Sequence, residues 1–150
     1  MDIRLDDPTA PHVAALLTHH LAELRSVMAS HAFALDATGL SAPNVGFWTA
    51  WNNDELAGFI ALKQLDPRHG EVKSMRAAPA ARRTGVGRAL LVHVIGVARA
   101  RGYARLSLET GTAPLHAPAV ALYRSAGFQP CDAFADYVPS PHNQFLALDL

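Results

Sequence analysis

Six consecutive residues, Arg82-Arg83-Thr84-Gly85-Val86-Gly87, stand between a strand-like segment at residues 71–77 and a long helical pattern from Arg88 onward. A glycine-rich turn feeding a helix aims unpaired backbone N–H groups, and the positive end of the helix dipole, at one spot. That spot suits a phosphate or pyrophosphate. Gly85 and Gly87 let the backbone come close to an anion and adopt conformations that a Cβ would forbid. The chemistry implied is capture of a nucleotide-like ligand.

The charges agree with the turn. No acidic residue lies between Glu71 and Glu109, a stretch that holds Lys73, Arg76, Arg82, Arg83, Arg88, Arg99, Arg101 and Arg105 out of 13 basic residues. The chain as a whole is formally neutral, so the positive field is local. A local field suits a multiply charged small ligand and gives little support to nucleic-acid binding. Arg99 and Arg101 fall late in the helix, where cations are favourable on any reading. Arg82, Arg83 and Arg88 flank the glycines and are the phosphate candidates.

The elements that must position this turn follow from the patterning. A chain of 150 residues, 50% hydrophobic and 17% charged, is expected to form one domain over residues 1–150 with a proper core. Residues 3–5 read as a short strand. Pro8-Thr9-Ala10-Pro11 opens a helix with Thr9 as cap and Pro11 in the first turn. Val13, Leu16, Leu17, Leu21 and Leu24 form its buried stripe. Residues 31–44 are weakly patterned and read as loop or short helix. Residues 45–51, 56–65 and 71–77 read as three strands of an antiparallel meander, with turns at 52–55 and 66–70. A helix to Arg101-Gly102, a strand at 105–109, a helix at 118–126, an extended piece from Phe128 and a strand at 145–148 complete a mixed α/β order.

Other features narrow the class. The lone Cys131 permits no intrachain disulfide and fits a reducing cytoplasm. The eight histidines are scattered, so no metal site is expected. No apolar run approaches the roughly 20 residues that span a bilayer, and the acidic start lacks the apolar core of a signal peptide. No membrane or nucleic-acid partner is expected.

In this order of motifs the chain resembles the GNAT superfamily of acetyl-CoA-dependent N-acetyltransferases. Their phosphate signature, Arg/Gln-x-x-Gly-x-Gly/Ala, is matched by Arg82, Gly85 and Gly87. Their apolar-x-apolar strand followed by proline is matched by Met75-Arg76-Ala77 and Pro79. Their later Ala-x-x-Leu-Tyr-x-x-x-Gly-Phe helix is matched by Ala119, Leu122, Tyr123, Gly127 and Phe128. Residues 107–111, with Asp136-Tyr137-Val138-Pro139, Asn143 and Phe145, are similar to a set of small bacterial acetyltransferases. His116 stands where many members carry Asn.

The resemblance implies a single-domain α/β fold with a mixed, largely antiparallel sheet flanked by helices. It also implies an acetyl-CoA cofactor held by Met75, Arg76, Ala77, Arg82, Arg83, Thr84, Gly85, Val86, Gly87 and Arg88. The reaction would be direct attack of a small-molecule amine on the thioester. The alternatives are acetylation of protein N-termini or lysine, and a non-catalytic acyl-CoA-binding module. A phosphotransferase built on the same turn lacks the Gly-Lys-Ser/Thr ending. A homodimer through the final strand is a further expectation.

Glu71 is the expected general base. Strand alternation puts Glu71, Lys73, Met75 and Ala77 on one face, and a buried glutamate with a raised pKa takes an ammonium proton. The competing reading is a Glu71–Lys73 surface pair. Tyr123 is the acid for the departing thiolate, against a packing role. The backbone N–H near Met75 would meet the carbonyl oxygen, a role worth roughly 2.7–4 kcal/mol in acyl transfer. His20, on the apolar stripe, and Arg25 are candidate substrate contacts, against a core histidine and a surface arginine. Trp48, Trp51, Asp136, Tyr137 and Asn143 read as packing or loop residues, with pocket lining as the alternative, and Cys131 as a small apolar residue.

Overall fold

Asn53 adopts a left-handed backbone (φ 54°) in the turn after the first meander strand, the conformation that tight hairpins ask of Asn. Around it the computed structural model, which describes residues 1–28 and 35–150, folds the expected meander as β2 (Val45–Asn52), β3 (Glu55–Asp66) and β4 (His69–Ala77). The second hairpin closes at Asp66–His69, so β4 starts inside the segment expected to be a turn. The remaining elements are β1 (Asp2–Leu5), α1 (Pro11–Met28), α2 (Ala37–Leu40), α3 (Val86–Ala100), β5 (Arg105–Gly111), α4 (Ala117–Ser125), β6 (Gln129–Pro130) and β7 (Asn143–Asp149). The expectation of loop or short helix at residues 31–44 lies partly outside the described residues; within them, α2 is capped by the Asp36 side chain accepting from the Gly39 N–H.

One sheet carries all seven strands in the order β1-β2-β3-β4-β5-β7-β6. Every pairing is antiparallel except β4 with β5. This is the mixed, largely antiparallel sheet flanked by helices that the motifs implied. β7 is an interior strand with β6 along its outer side. Among the described residues no helix is long and apolar enough to cross a membrane.

The two faces of β3 explain its continuous apolar run. Phe59 and Ala61 pack with Val13, Leu16 and Leu17 of α1 and with Leu40 and Phe47. Ile60 and Leu62 pack on the other face with Leu90, Leu91, Val94 and Ala98 of α3. A strand buried on both sides needs no polar alternation. Trp48 belongs to the α3 core, and the Trp51 indole donates to Thr49, so both tryptophans pack. α1 begins at Pro11, which fits the first helical position. Thr9 does not cap it, because its hydroxyl and N–H both donate to Asp7.

Two irregularities shape the centre of the sheet. β4 and β5 pair only at His69–Arg105, Gly70–Leu106 and Glu71–Ser107. Beyond that β4 follows β3 and β5 follows β7, so the two strands part as a wedge. A bulge also falls in β4. Phe59 faces Arg76 while Ala61 faces Lys73, two residues against three, and Ser74 takes φ 56°. The extra residue reverses the alternation. Lys73 and Arg76 therefore lie on the α1 face, whereas Met75 and Ala77 pack on the α3 core. The expected sharing of one face by Glu71 and Met75 is overturned by this bulge.

Gly58 sits where β3, β4 and α3 converge. A Cβ there would lie 2.4 Å from the Arg76 carbonyl oxygen and 2.9 Å from Val86 Cγ1. Gly58→Ala is expected to cost roughly 1–3 kcal/mol through overpacking, read from urea denaturation midpoints; an unshifted midpoint would mean the end of β4 is free to move.

Candidate active site

The glycine turn is built as a short 3-10 turn (Pro79–Ala81) running through Arg82 and Arg83 into α3. Thr84 is tied back on itself, its hydroxyl and N–H both donating to the Ala81 carbonyl. Gly85 caps α3 at φ 85° with open space where a Cβ would be, so its conformation is what requires glycine there. Gly87 is glycine for a different reason, since a Cβ would come within 3.0 Å of Leu122 on α4. The first helical bond runs from the Ala89 N–H to the Gly85 carbonyl. The amides of residues 86–88 are thereby left without partners inside the helix, and they point to the end where an anion is favourable. Arg82, Arg83 and Arg88 are exposed around them. Val86 is buried in the core, so only its backbone is available.

Arg76 behaves differently from the other arginines. Its guanidinium donates twice to Glu23 of α1, at 3.1 and 2.7 Å. That pair holds the Glu23 carboxyl below the usual range. Arg82 lies 3.8 Å from the same carboxylate. The Arg76 side chain thus ties the bulged strand to α1, while Ala77 packs on the α3 core. Arg25 is exposed and does not line the cleft described next.

The wedge between β4 and β5 is a cleft that gathers residues from five parts of the chain. Glu71, Lys73, Ser74 and Met75 come from β4, and Glu109 and Gly111 from β5. His116 and Tyr123 come from the α4 side, His20 from α1, and Tyr137 from the segment before β7. Tyr137 is 66 residues from Glu71 in the chain yet donates its hydroxyl to Glu71 Oε2, and Lys73 Nζ donates to that hydroxyl at 2.7 Å. Lys73 also lies 3.3 Å from Glu71 Oε2, with both side chains more than nine-tenths buried. The surface-pair reading of Glu71 and Lys73 is therefore wrong, because the strand is covered here. Burial, with the Glu71 charge beside it, pushes the Tyr137 phenol up, so it stays a donor.

Glu109 faces the same cleft, and the sequence reading did not single it out. Burial raises its pKa to about 7, against a hydrogen bond with Asn143 and the Lys73 charge, which lower it, while the nearby Glu71 charge adds a smaller rise. Among the described residues its Oε2 has no hydrogen-bonding partner. A signal did exist in the sequence: on β5, Leu106 and Leu108 face the α3 core, so alternation sends Ser107 and Glu109 to the other face with Glu71. The Ser107–His69 hydrogen bond, 2.6 Å, lies on that face.

Three further side chains complete the walls. Tyr123 is buried, and burial raises its pKa. His20 is 5% exposed, and burial reinforced by the Arg76 charge lowers its pKa to about 4. His116 is also buried with a lowered pKa, chiefly from desolvation. Its ring occupies the space above Gly111, where a Cβ would come within 2.3 Å of it. Both imidazoles are therefore neutral at pH 7. Among the described residues no group of three or more His, Cys, Asp or Glu side chains is arranged to hold a metal ion.

Comparison with known proteins agrees with this geometry. Residues 13–128 match the model of the Acetyltransferase (GNAT) family. The chain is 45% identical over 151 aligned positions to the uncharacterized N-acetyltransferase YsnE of Bacillus subtilis, covering 100% of both chains. It is 45% identical over 149 positions to the uncharacterized N-acetyltransferase YedL of Escherichia coli, covering 99% of this chain and 94% of that one. Among solved structures, a Klebsiella pneumoniae protein assigned as an acyl-CoA N-acyltransferase superposes with a TM-score of 0.82. It is 27% identical, with 99% of this chain and 97% of that one covered.

Glu23→Ala would leave the Arg76 guanidinium, about nine-tenths buried, without its carboxylate. A loss of roughly 1.5–3 kcal/mol is expected for charged hydrogen bonds of this kind, measured by chemical denaturation. Stability equal to the parent would show that water replaces Glu23 without cost.

Proposed function

Because the chain belongs to the GNAT acetyltransferase family, we propose that it transfers an acetyl group from acetyl-CoA to the primary amine of a small molecule, by direct attack within a ternary complex. The observation that carries this reading is the wedge itself. Past Glu71 the β4 edge toward β5 has no strand partner, so it offers backbone N–H and C=O groups to an extended ligand that carries amides of its own. The free amides at the start of α3, with Arg82 and Arg83 beside them, suit the ligand's phosphates. Gly85 leaves that approach open. When bound, acetyl-CoA supplies the thioester carbonyl that the amine attacks and the thiol that departs.

The chain's own residues divide the proton work. Of the two carboxylates, Glu71 already shares its Oε2 with Lys73 and Tyr137. Glu109 keeps an oxygen free and has its pKa raised to about 7, which suits a base that must take a proton near neutral pH. We assign the base role to Glu109. Glu71, expected from sequence to be the base, instead holds Lys73 and Tyr137 in place. Tyr123 keeps its proton across the working range because burial raises its pKa. It assists departure by donating a hydrogen bond to the leaving sulfur. The backbone N–H at the Met75 bulge is the donor for the carbonyl oxygen.

Two measurements test this. Glu109 must be deprotonated to act, so kcat/KM is expected to rise with pH through about 7 and then level. In Glu109→Gln that limb should vanish and turnover fall by roughly 10²-fold or more. A limb that survives in Glu109→Gln but is lost in Glu71→Gln would return the base role to Glu71. Separately, Gly85→Glu, which adds bulk and negative charge where the φ is 85°, should weaken acetyl-CoA binding at least tenfold by calorimetry. Undiminished affinity in a folded variant would remove the turn from cofactor binding.

A further inference from the structure

Buried polar side chains almost always find partners. Among the described residues six carry a buried side-chain nitrogen or oxygen with none: His20, Ser74, Arg76, His93, Glu109 and His116. Four of these six, His20, Ser74, Glu109 and His116, line the one cleft. That concentration marks a place where a ligand, rather than the fold, completes the hydrogen bonding.

We infer that the acceptor is an aminoacyl amine, a primary amine whose neighbouring carbon bears a carbonyl or carboxylate oxygen, with the amine at Glu109 and the oxygen on the ring N–H groups of His20 and His116. This rests on the amine-acetylation reading above. Glu109 is the cleft's free carboxylate oxygen and the natural partner of an ammonium. Both histidines are neutral, so each ring carries one N–H, which His20 offers from either unpartnered nitrogen and His116 offers from Nε2 in its Nε2–H tautomer. In His20 both ring nitrogens lack a partner, and in His116 it is Nε2. Imidazole N–H groups want an acceptor, and a carbonyl oxygen with two lone pairs serves two of them. An amine carrying only an alkyl tail would leave these donors buried and unmet, which disfavours it strongly in polar sites of this kind. Because the histidines and Glu109 line one cleft, the amine and the oxygen belong to one small group, and adjacent carbons are its most compact arrangement.

The experiment compares glycinamide, glycine and n-propylamine as acceptors, following thiol release at saturating acetyl-CoA. Either oxygenated amine should exceed n-propylamine at least tenfold in kcat/KM, and the ranking of glycine against glycinamide tells carboxylate from carbonyl. In His20→Leu and His116→Leu the ratio should shrink toward unity mainly through KM, and His20→Gln, which keeps an N–H, should restore part of it. Acetyl-CoA calorimetry on each variant reports whether it is folded. Should the leucine variants fail to fold, the His20 ring Cε1–H resonance of the wild-type protein should shift on adding glycinamide with CoA bound. Equal use of n-propylamine, a ratio indifferent to both histidines, or an unmoved resonance overturns the inference while leaving amine acetylation intact. Binding of acetyl-CoA with no amine acetylated overturns that broader reading, and this one with it.

Discussion

Only three residue pairs join β4 to β5, and the active region depends on that short parallel ladder. If it were longer, the sheet would close and Glu71, Ser74 and Glu109 would be ordinary strand positions facing their neighbours. If it were absent, the meander and the β5–β7 half would have no shared core. Three pairs hold the halves together at one end and leave backbone groups unmet at the other. The two helices that pack on either side keep the gap from collapsing. α3 fills one face with Leu90, Leu91 and Val94, and α1 fills the other with Val13, Leu16 and Leu17.

Inside the gap, electrostatics separate two carboxylates that composition alone makes equivalent. Glu71 sits among donors, while Glu109 has one oxygen that no described residue satisfies. The difference arises from which strand each sits on and from what crosses over it. The segment before β7 brings Tyr137 to Glu71, and rings of Phe134 and Phe145 pack against Tyr137 to hold it there. Glu109 itself lies opposite Phe145 in the β5–β7 pair, and its burial there is what raises its pKa.

The glycine turn was legible because glycine positions encode backbone geometry directly, and Gly85 does take the left-handed conformation its place implied. The meander and the helices were legible through apolar periodicity. What periodicity misread was the β4 bulge, since Ser74 is neither glycine nor asparagine and nothing local announces its positive φ. The pairing of the Arg76 side chain with Glu23 was not legible, because Glu23 lies 53 residues earlier, a distance no local pattern spans. Glu109 stood out only once burial was known. Alternation placed it on the right face, but the environment that shifts its proton affinity is assembled from β4, β5 and the segment before β7.

The bulge carries one more consequence, for how this strand tolerates change. Between Lys73 and Arg76 the left-handed residue decides which way the rest of the strand faces. Were Ser74 kept but straightened into the ladder, simple alternation would turn Arg76 into the apolar α3 core and carry Met75 to the side of Glu23. Replacing Ser74 by glycine or asparagine would keep the count and the left-handed backbone together. In descendants of this chain, then, position 74 is open to residues that accept a left-handed backbone, whereas a β-branched side chain there would press the strand toward straight alternation.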